Sequence, residues 1–185
     1  MRIVAGKWKG RNLVKPTDLT IRPTTDRVRE SLFNIINNHY PDLLYNSRIL
    51  DLFAGTGALG LESLSRGAKY AVFVENSVQG RGLIRQNIEN LLAQGCSRLL
   101  KRDATDLGDI GKILPFNLIF ADPPYRMNLG ERALENAFKN GWLAKDSVCI
   151  LEEDKNVNIS LSEFFTIEDK RIYGKSCLYF LKVTN

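Results

Sequence analysis

The chain is poor in histidine and cysteine, and both shortages narrow its chemistry. Its 185 residues include one histidine, His39, and three cysteines, Cys96, Cys149 and Cys177. One histidine argues against a multi-histidine metal centre and a histidine-centred nucleophilic triad. The cysteines lie far apart and form no Cys-x-x-Cys pair, so neither a zinc site nor a disulfide framework is expected. Each reads as a small buried hydrophobe. Long apolar runs are missing too: none approaches the roughly 20 residues that cross a bilayer. The opening Met1-Arg2-Ile3-Val4-Ala5-Gly6-Lys7 lacks the apolar core of a signal peptide. The expectations are no metal, no membrane partner and a cytoplasmic location.

The charge is unevenly placed. Net charge is +5, and residues 1–30 hold Arg2, Lys7, Lys9, Arg11, Lys15, Arg22, Arg27 and Arg29 against Asp18, Asp26 and Glu30. Eight basic residues against three acidic ones account for the whole excess. Positive charge gathered at one end suits a polyanionic partner, most simply nucleic acid. Trp8 sits between Lys7 and Lys9, within glycines at 6 and 10. It could stack on a base while the lysines meet phosphates, or pack on the domain as an anchor. Arg22-Pro23-Thr24-Thr25-Asp26 reads as the start of a helix. Val28, Leu32, Phe33, Ile35 and Ile36 then fall at helical spacing, which predicts an amphipathic helix over about 25–38. Arg27 and Arg29 near its positive end make a phosphate site.

The length suits one domain with a substantial core. From Arg48 the pattern alternates. Strands are expected near 48–53, 70–75, 98–102, 117–121, 147–152, 165–172 and 177–183, and helices near 58–66, 78–93, 106–113 and 129–140. Such alternation implies an α/β fold, a mostly parallel sheet with helices on both faces. The last two strands have no helix between them and form an antiparallel hairpin. The expected organisation is a basic N-terminal extension over 1–45, built of a short hairpin and a helix, and a second unit over 46–185.

The chemistry gathers at strand ends. Ile49-Leu50-Asp51-Leu52-Phe53 runs into Ala54-Gly55-Thr56-Gly57-Ala58-Leu59-Gly60, a glycine-rich turn opening a helix. The formal G-x-G-x-x-G match is a weak signal alone. Glu75 ends the second strand, about twenty positions on, where an acid can accept bonds from ribose hydroxyls. Asp103 ends the third and could bond an adenine amino group. The fourth strand ends in Asp122-Pro123-Pro124-Tyr125. Its prolines stop the ladder and fix the backbone. The Asp122 carboxylate, the Pro123 carbonyl and the Tyr125 face then form a rigid cup for a planar group bearing NH2. In a parallel sheet these acids share one edge, where ligands bind. A dinucleotide and S-adenosylmethionine compete as cofactor. Asp51 would repel a pyrophosphate yet suit an ammonium group, which favours the second. The tetrapeptide permits adenine, cytosine or guanine.

These residues resemble the class I S-adenosylmethionine-dependent methyltransferases over roughly 47–183, in Asp51-Leu52-Phe53-Ala54-Gly55-Thr56-Gly57 and Asp122-Pro123-Pro124-Tyr125. The chain is further similar to the RsmD family. Arg2-Ile3-Val4-Ala5-Gly6, Arg11-Asn12-Leu13 and Arg22-Pro23-Thr24-Thr25-Asp26-Arg27-Val28-Arg29-Glu30-Ser31-Leu32-Phe33 carry that likeness. It implies a Rossmann-like sheet and methylation of guanine N2 in 16S rRNA, within an assembling small subunit, by a monomeric enzyme. The donor would be S-adenosyl-L-methionine, leaving S-adenosyl-L-homocysteine. The resemblance places Asp51, Phe53, Ala54, Gly55, Thr56 and Gly57 on the methionine portion, Glu75 with Asn76 on the ribose, and Asp103 with Ala104 on the adenine. Asp122, Pro123 and Tyr125 would be catalytic. Lys7, Trp8, Lys9, Arg11, Arg22, Thr24, Arg27 and Arg29 would face RNA. The segment Arg126-Met127-Asn128-Leu129 departs from the family pattern. The rivals are a DNA adenine-N6 methyltransferase, a non-catalytic RNA-binding module on the same fold and an NAD-linked oxidoreductase.

Overall fold

Residues 1–16 and 26–184 are described by the computed structural model. One seven-stranded sheet organises them. Its strands are β1 (Arg48–Leu52), β2 (Tyr70–Val74), β3 (Ser97–Leu100), β4 (Phe116–Ala121), β5 (Leu143–Asp154), β6 (Phe165–Tyr173) and β7 (Ser176–Val183). Their spatial order is β3-β2-β1-β4-β5-β7-β6. The first five run parallel, and β7 pairs antiparallel with both β5 and β6. The helices are α1 (Asp26–His39), α2 (Ala58–Ser65), α3 (Val78–Asn90) and α4 (Leu129–Lys139).

The near-continuous apolar runs of β1, β2 and β4 follow from burial on both faces. On one face, Ile49, Phe73, Phe120 and Phe180 pack with Leu61 and Leu64 of α2 and Ile84 of α3. On the other, Leu50, Val72 and Ile119 pack with Ala133 and Leu134 of α4 and with Trp142. The N-terminal segment joins the first layer. Ile3, Leu13, Leu32, Phe33 and Ile36 are all buried in it, and the Phe33 and Phe120 rings lie 5.9 Å apart. Burial of each such side chain contributes roughly 1.5–3 kcal/mol.

Residues 2–12 double back through a turn. Arg2 bridges Asn12, and Ile3 N donates to Arg11 O at 2.9 Å. The turn is pressed against the end of α2. Val4 N and Ala5 N donate to the buried Glu62 carboxylate at 2.8 and 3.0 Å, and Arg66 pairs with the same carboxylate at 2.7 Å. Lys7 N donates to Ser65 O at 2.8 Å. Gly6 permits this approach: its φ is +80°, and a Cβ there would lie 1.9 Å from Ser65 O. Only glycine fits such a position.

The helix expected over 106–113 does not form. Gly108 and Gly111 take left-handed φ of +66° and +64°. Leu107 N donates to Asn136 Oδ1 at 3.0 Å, Gly111 N to Asp109 Oδ1 at 2.7 Å, and the Trp142 indole to Gly108 O at 2.8 Å. Asx-turn and tertiary bonds thus satisfy groups that a helix would have used.

Candidate active site

A cavity of about 560 Å³ opens at the carboxyl ends of β1 to β4. That lies within the range of roughly 300–1,000 Å³ typical of small-molecule sites. The turn after β1 supplies Phe53, Ala54, Gly55 and Thr56 to its wall, with Asp51 beneath. The end of β2 supplies Glu75 and Asn76, and the end of β3 supplies Asp103 and Ala104. Asp122, Pro123 and Tyr125 complete it after β4. Gly57 is not in the lining; it sits behind as the N-terminal cap of α2, with φ +77°.

The acids differ in state because their surroundings differ. Asp51 is buried, and its Oδ2 accepts from Gly60 N at 2.9 Å. Burial pushes its pKa up to about 8; the Gly60 N–H opposes this and the Glu75 charge adds to it. Glu75 closes the turn from the other side, its oxygens accepting from Gly55 N and Ser77 N, each at 2.8 Å. Asp103 is exposed, and bonds from the Thr105 hydroxyl and amide hold it below the usual carboxylate range. Phe53, between the strand and the glycines, has a left-handed φ of +58°. Strain of this kind costs roughly 1–3 kcal/mol and gathers at functional sites.

The cup at 122–125 is braced by the next strands. The Tyr125 hydroxyl donates to Glu152 of β5 and shares a hydrogen bond with Ser176 Oγ of β7 at 2.7 Å. Burial, then the Glu152 bond, raises the Tyr125 pKa, so the phenol stays a neutral donor. Arg126 N donates to the Glu153 carboxylate at 3.0 Å, and its guanidinium meets Asp154 at 2.8 Å. Arg126 thus ties this segment to β5. Glu152, Tyr173 and Ser176 all line the cavity and went unnoticed in the sequence. One signal for Glu152 was there. The series of strand-end acids continues in Leu151-Glu152, at the end of the fifth strand.

The basic segment is less uniform than expected. Val28 of α1 lines the cavity, and Ser31 Oγ bonds Tyr173 Oη at 2.7 Å, so α1 forms one wall. Arg27 is exposed. Arg29, expected to face RNA, is instead fully buried; its guanidinium donates to Arg2 O and pairs with Asp26 at 2.9 Å. It locks α1 to the arm. Lys7, Lys9 and Arg11 are exposed, whereas Trp8 is half-buried against the core with Lys7 Nζ 4.3 Å from its ring centre. That favours the anchor reading of Trp8. The turn carrying them docks at Ser65, the far end of α2 from the cavity, and an eight-residue helix is about 12 Å long. Arg22 and Thr24 lie outside the described residues.

Comparison with known proteins decides the family. Residues 1–182 match the family model described as conserved hypothetical protein 95. The chain belongs to this family, that of the RsmD methyltransferases. It is 40% identical over 157 residues to the ribosomal RNA small subunit methyltransferase D of Escherichia coli K12, covering 83% of this chain and 75% of that protein. The solved structure of an Escherichia coli protein described provisionally as the methyltransferase yhhF superposes with a TM-score of 0.83 at 32% identity, covering 99% of this chain and 97% of the other. An RNA methyltransferase from Salinibacter ruber, solved with S-adenosyl-L-homocysteine, shares the fold alone: TM-score 0.66, 12% identity, 88% and 94% coverage. The RsmD membership identifies an S-adenosylmethionine-dependent methyltransferase on the class I fold and removes the NAD-linked reading.

Proposed function

We propose that this chain transfers a methyl group from S-adenosylmethionine to the exocyclic N2 of a guanine in 16S rRNA. The observation that carries the reading is the meeting of two sets of residues in one cavity: the Gly55 turn with Glu75, and Asp122 with Pro123 and Tyr125. The name of the relative in Escherichia coli, ribosomal RNA small subunit methyltransferase D, supports the substrate class.

The residues present fit the cofactor. Glu75 offers lone pairs to ribose hydroxyls beyond those used by the Gly55 and Ser77 amides. Asn76 flanks it. Asp103, held by Thr105, and Ala104 border the adenine end. Asp51 and the 53–57 turn receive the methionine portion, where a buried acid near its pKa can ionise opposite an ammonium group. The bound cofactor supplies a methyl group on a positive sulfur.

The chain's own contribution is orientation and electrostatics. The guanine N2 lone pair is delocalised into the ring. Asp122 and the Pro123 carbonyl accept its two N–H hydrogens, which localises the pair and aims it at the methyl group. Positive charge develops on the amine during attack, and the Asp122 carboxylate stabilises it. The methylated ammonium is acidic and passes its proton to the Asp122 carboxylate, so a strong base is not required. Tyr125, its hydroxyl held by Glu152 and Ser176, stacks on the base. The base must leave its stack to enter. Residues 1–45 form the RNA-facing part and 46–185 the catalytic part, with Arg27 beside the cavity and Lys7, Lys9 and Arg11 on flanking RNA.

The test is to treat small subunits lacking the modification with this protein and labelled cofactor, then digest the RNA and identify the nucleoside. N2-methylguanine supports the reading. N6-methyladenine, or no product, overturns it.

A further inference from the structure

The Asp-Pro-Pro-Tyr cup takes an amine but does not by itself say which base carries it. The strand register places a second carboxylate beside it. In β4 and β5, Ala121 pairs with Leu151; Asp122 is the first residue past the end of β4, and Glu152 is the next residue along β5. Such strands lie about 4.8 Å apart, and side chains in register point to the same face. Both residues line the main cavity, and both also line a small cleft beneath it beside Leu32 of α1. Glu152 is half-buried, and among the described residues its donor is the Tyr125 hydroxyl, on Oε1. Two acceptor carboxylates thus stand side by side, with a neutral phenol bracing the outer one.

We propose that Glu152 selects guanine by accepting the hydrogen on ring N1 while Asp122 holds the neighbouring N2. This deepens the reading above and rests on it. Guanine presents two adjacent donors on its Watson–Crick edge, N1–H and N2–H2. Adenine and cytosine each carry an amino group beside an unprotonated ring nitrogen. That ring nitrogen would bring a lone pair against the Glu152 carboxylate and leave both groups unsatisfied. A flipped base is read along this edge. A site that supplies a buried partner for a donor rejects bases lacking it far better than an apolar pocket would. Tyr125 and Ser176 are positioning residues here: their bonds fix the Glu152 carboxylate and the stacking ring together.

The test compares two small-subunit RNAs assembled from ligated fragments. One carries guanine at the modified nucleotide, the other 2-aminopurine. 2-Aminopurine keeps the N2 amine but has no hydrogen on N1. Wild-type protein is expected to favour guanine in kcat/KM by at least about 100-fold. Glu152→Gln can turn its amide NH2 toward an unprotonated N1. It is expected to lose at least about tenfold on guanine and to bring the ratio to within a few-fold, with S-adenosyl-L-homocysteine affinity unchanged. Tyr125→Phe removes the brace but not the carboxylate, so it keeps the preference for guanine whatever its rate. An unchanged ratio in folded Glu152→Gln overturns the proposal. So does equal methylation of the two RNAs by wild-type protein, which needs no variant. Failure of wild-type protein to produce N2-methylguanine on the guanine RNA instead sinks the parent reading.

Discussion

The Asn87 carboxamide of α3 joins the glycine turn to the N-terminal segment. Its Nδ2 donates to Thr56 O at 3.0 Å, and its Oδ1 accepts from Val14 N at 2.7 Å. Asn87 is fully buried, and so is its bond to Thr56 O, which has no water in reserve. Asn87→Ala leaves the buried Thr56 carbonyl and the part-buried Val14 amide without this partner and is expected to cost roughly 1–3 kcal/mol. It should also weaken S-adenosyl-L-homocysteine binding, because the Thr56 backbone borders the cavity. Urea unfolding and calorimetric titration measure the two effects; unchanged cofactor affinity would count against the coupling.

Glu62 makes a second tie. Its buried carboxylate holds Val4 N, Ala5 N and Arg66. Removing one partner of a buried pair is expected to cost roughly 3–5 kcal/mol. Glu62→Ala should therefore lower stability by that amount and speed amide exchange at Val4 and Ala5. Exchange at wild-type rates would show that Glu62 does not hold the arm and that its remaining contacts, at Ile3, Leu13 and Ser65, suffice.

Cofactor affinity should depend on pH through Asp51. Its folded pKa, about 8, lies above its unfolded value, so its contribution to the stability of the free protein is fully present below the unfolded pKa and fades as pH rises through 8. Binding an ammonium group at Asp51 reverses the preference, since the ionised form is then the one required. Binding therefore releases a proton below pH 8. Affinity for S-adenosyl-L-homocysteine should rise between pH 6 and 8, by at most about tenfold per unit, and then level off. Titration in buffers of different ionisation enthalpy reads the proton directly. Asp51→Asn should abolish the dependence, and a flat profile in the wild type would refute the ammonium contact.

Arg27 and Arg29 are two positions apart and should behave differently. Arg27 is exposed, so Arg27→Ala is expected to lower the slope of log K against log salt for RNA binding by about 1. Arg29 is buried against Arg2 O and Asp26, so Arg29→Ala should lower the unfolding midpoint with less effect on that slope. Equal salt slopes for the two variants would contradict this division.

These contrasts mark what the sequence makes legible. Apolar runs located the central strands β1, β2 and β4, because a strand covered on both faces is apolar almost throughout, whereas β3 and β6 at the sheet edges are largely unburied and were marked by their place in the alternation. The acids at 51, 75, 103 and 122 fell on one edge because parallel strands share a direction. The series stopped one strand short: Glu152 sits in Glu152-Glu153-Asp154, which reads as surface charge until the register with Asp122 is known. Arg29 looked like an RNA contact, and Trp8 stood open between stacking on a base and anchoring, because their packing depends on residues distant in sequence, Arg2 for the one and the core for the other. The turn at 107–111 is set by Asn136 and Trp142, again beyond any local window.

The most direct test of the account concerns Asp122. Single-turnover methyl transfer to unmodified small subunits should fall roughly 10²–10³-fold in Asp122→Ala, while S-adenosyl-L-homocysteine affinity stays near that of the wild type. Transfer within a few-fold of wild type in that variant would contradict the claim that this carboxylate holds and activates the guanine amine.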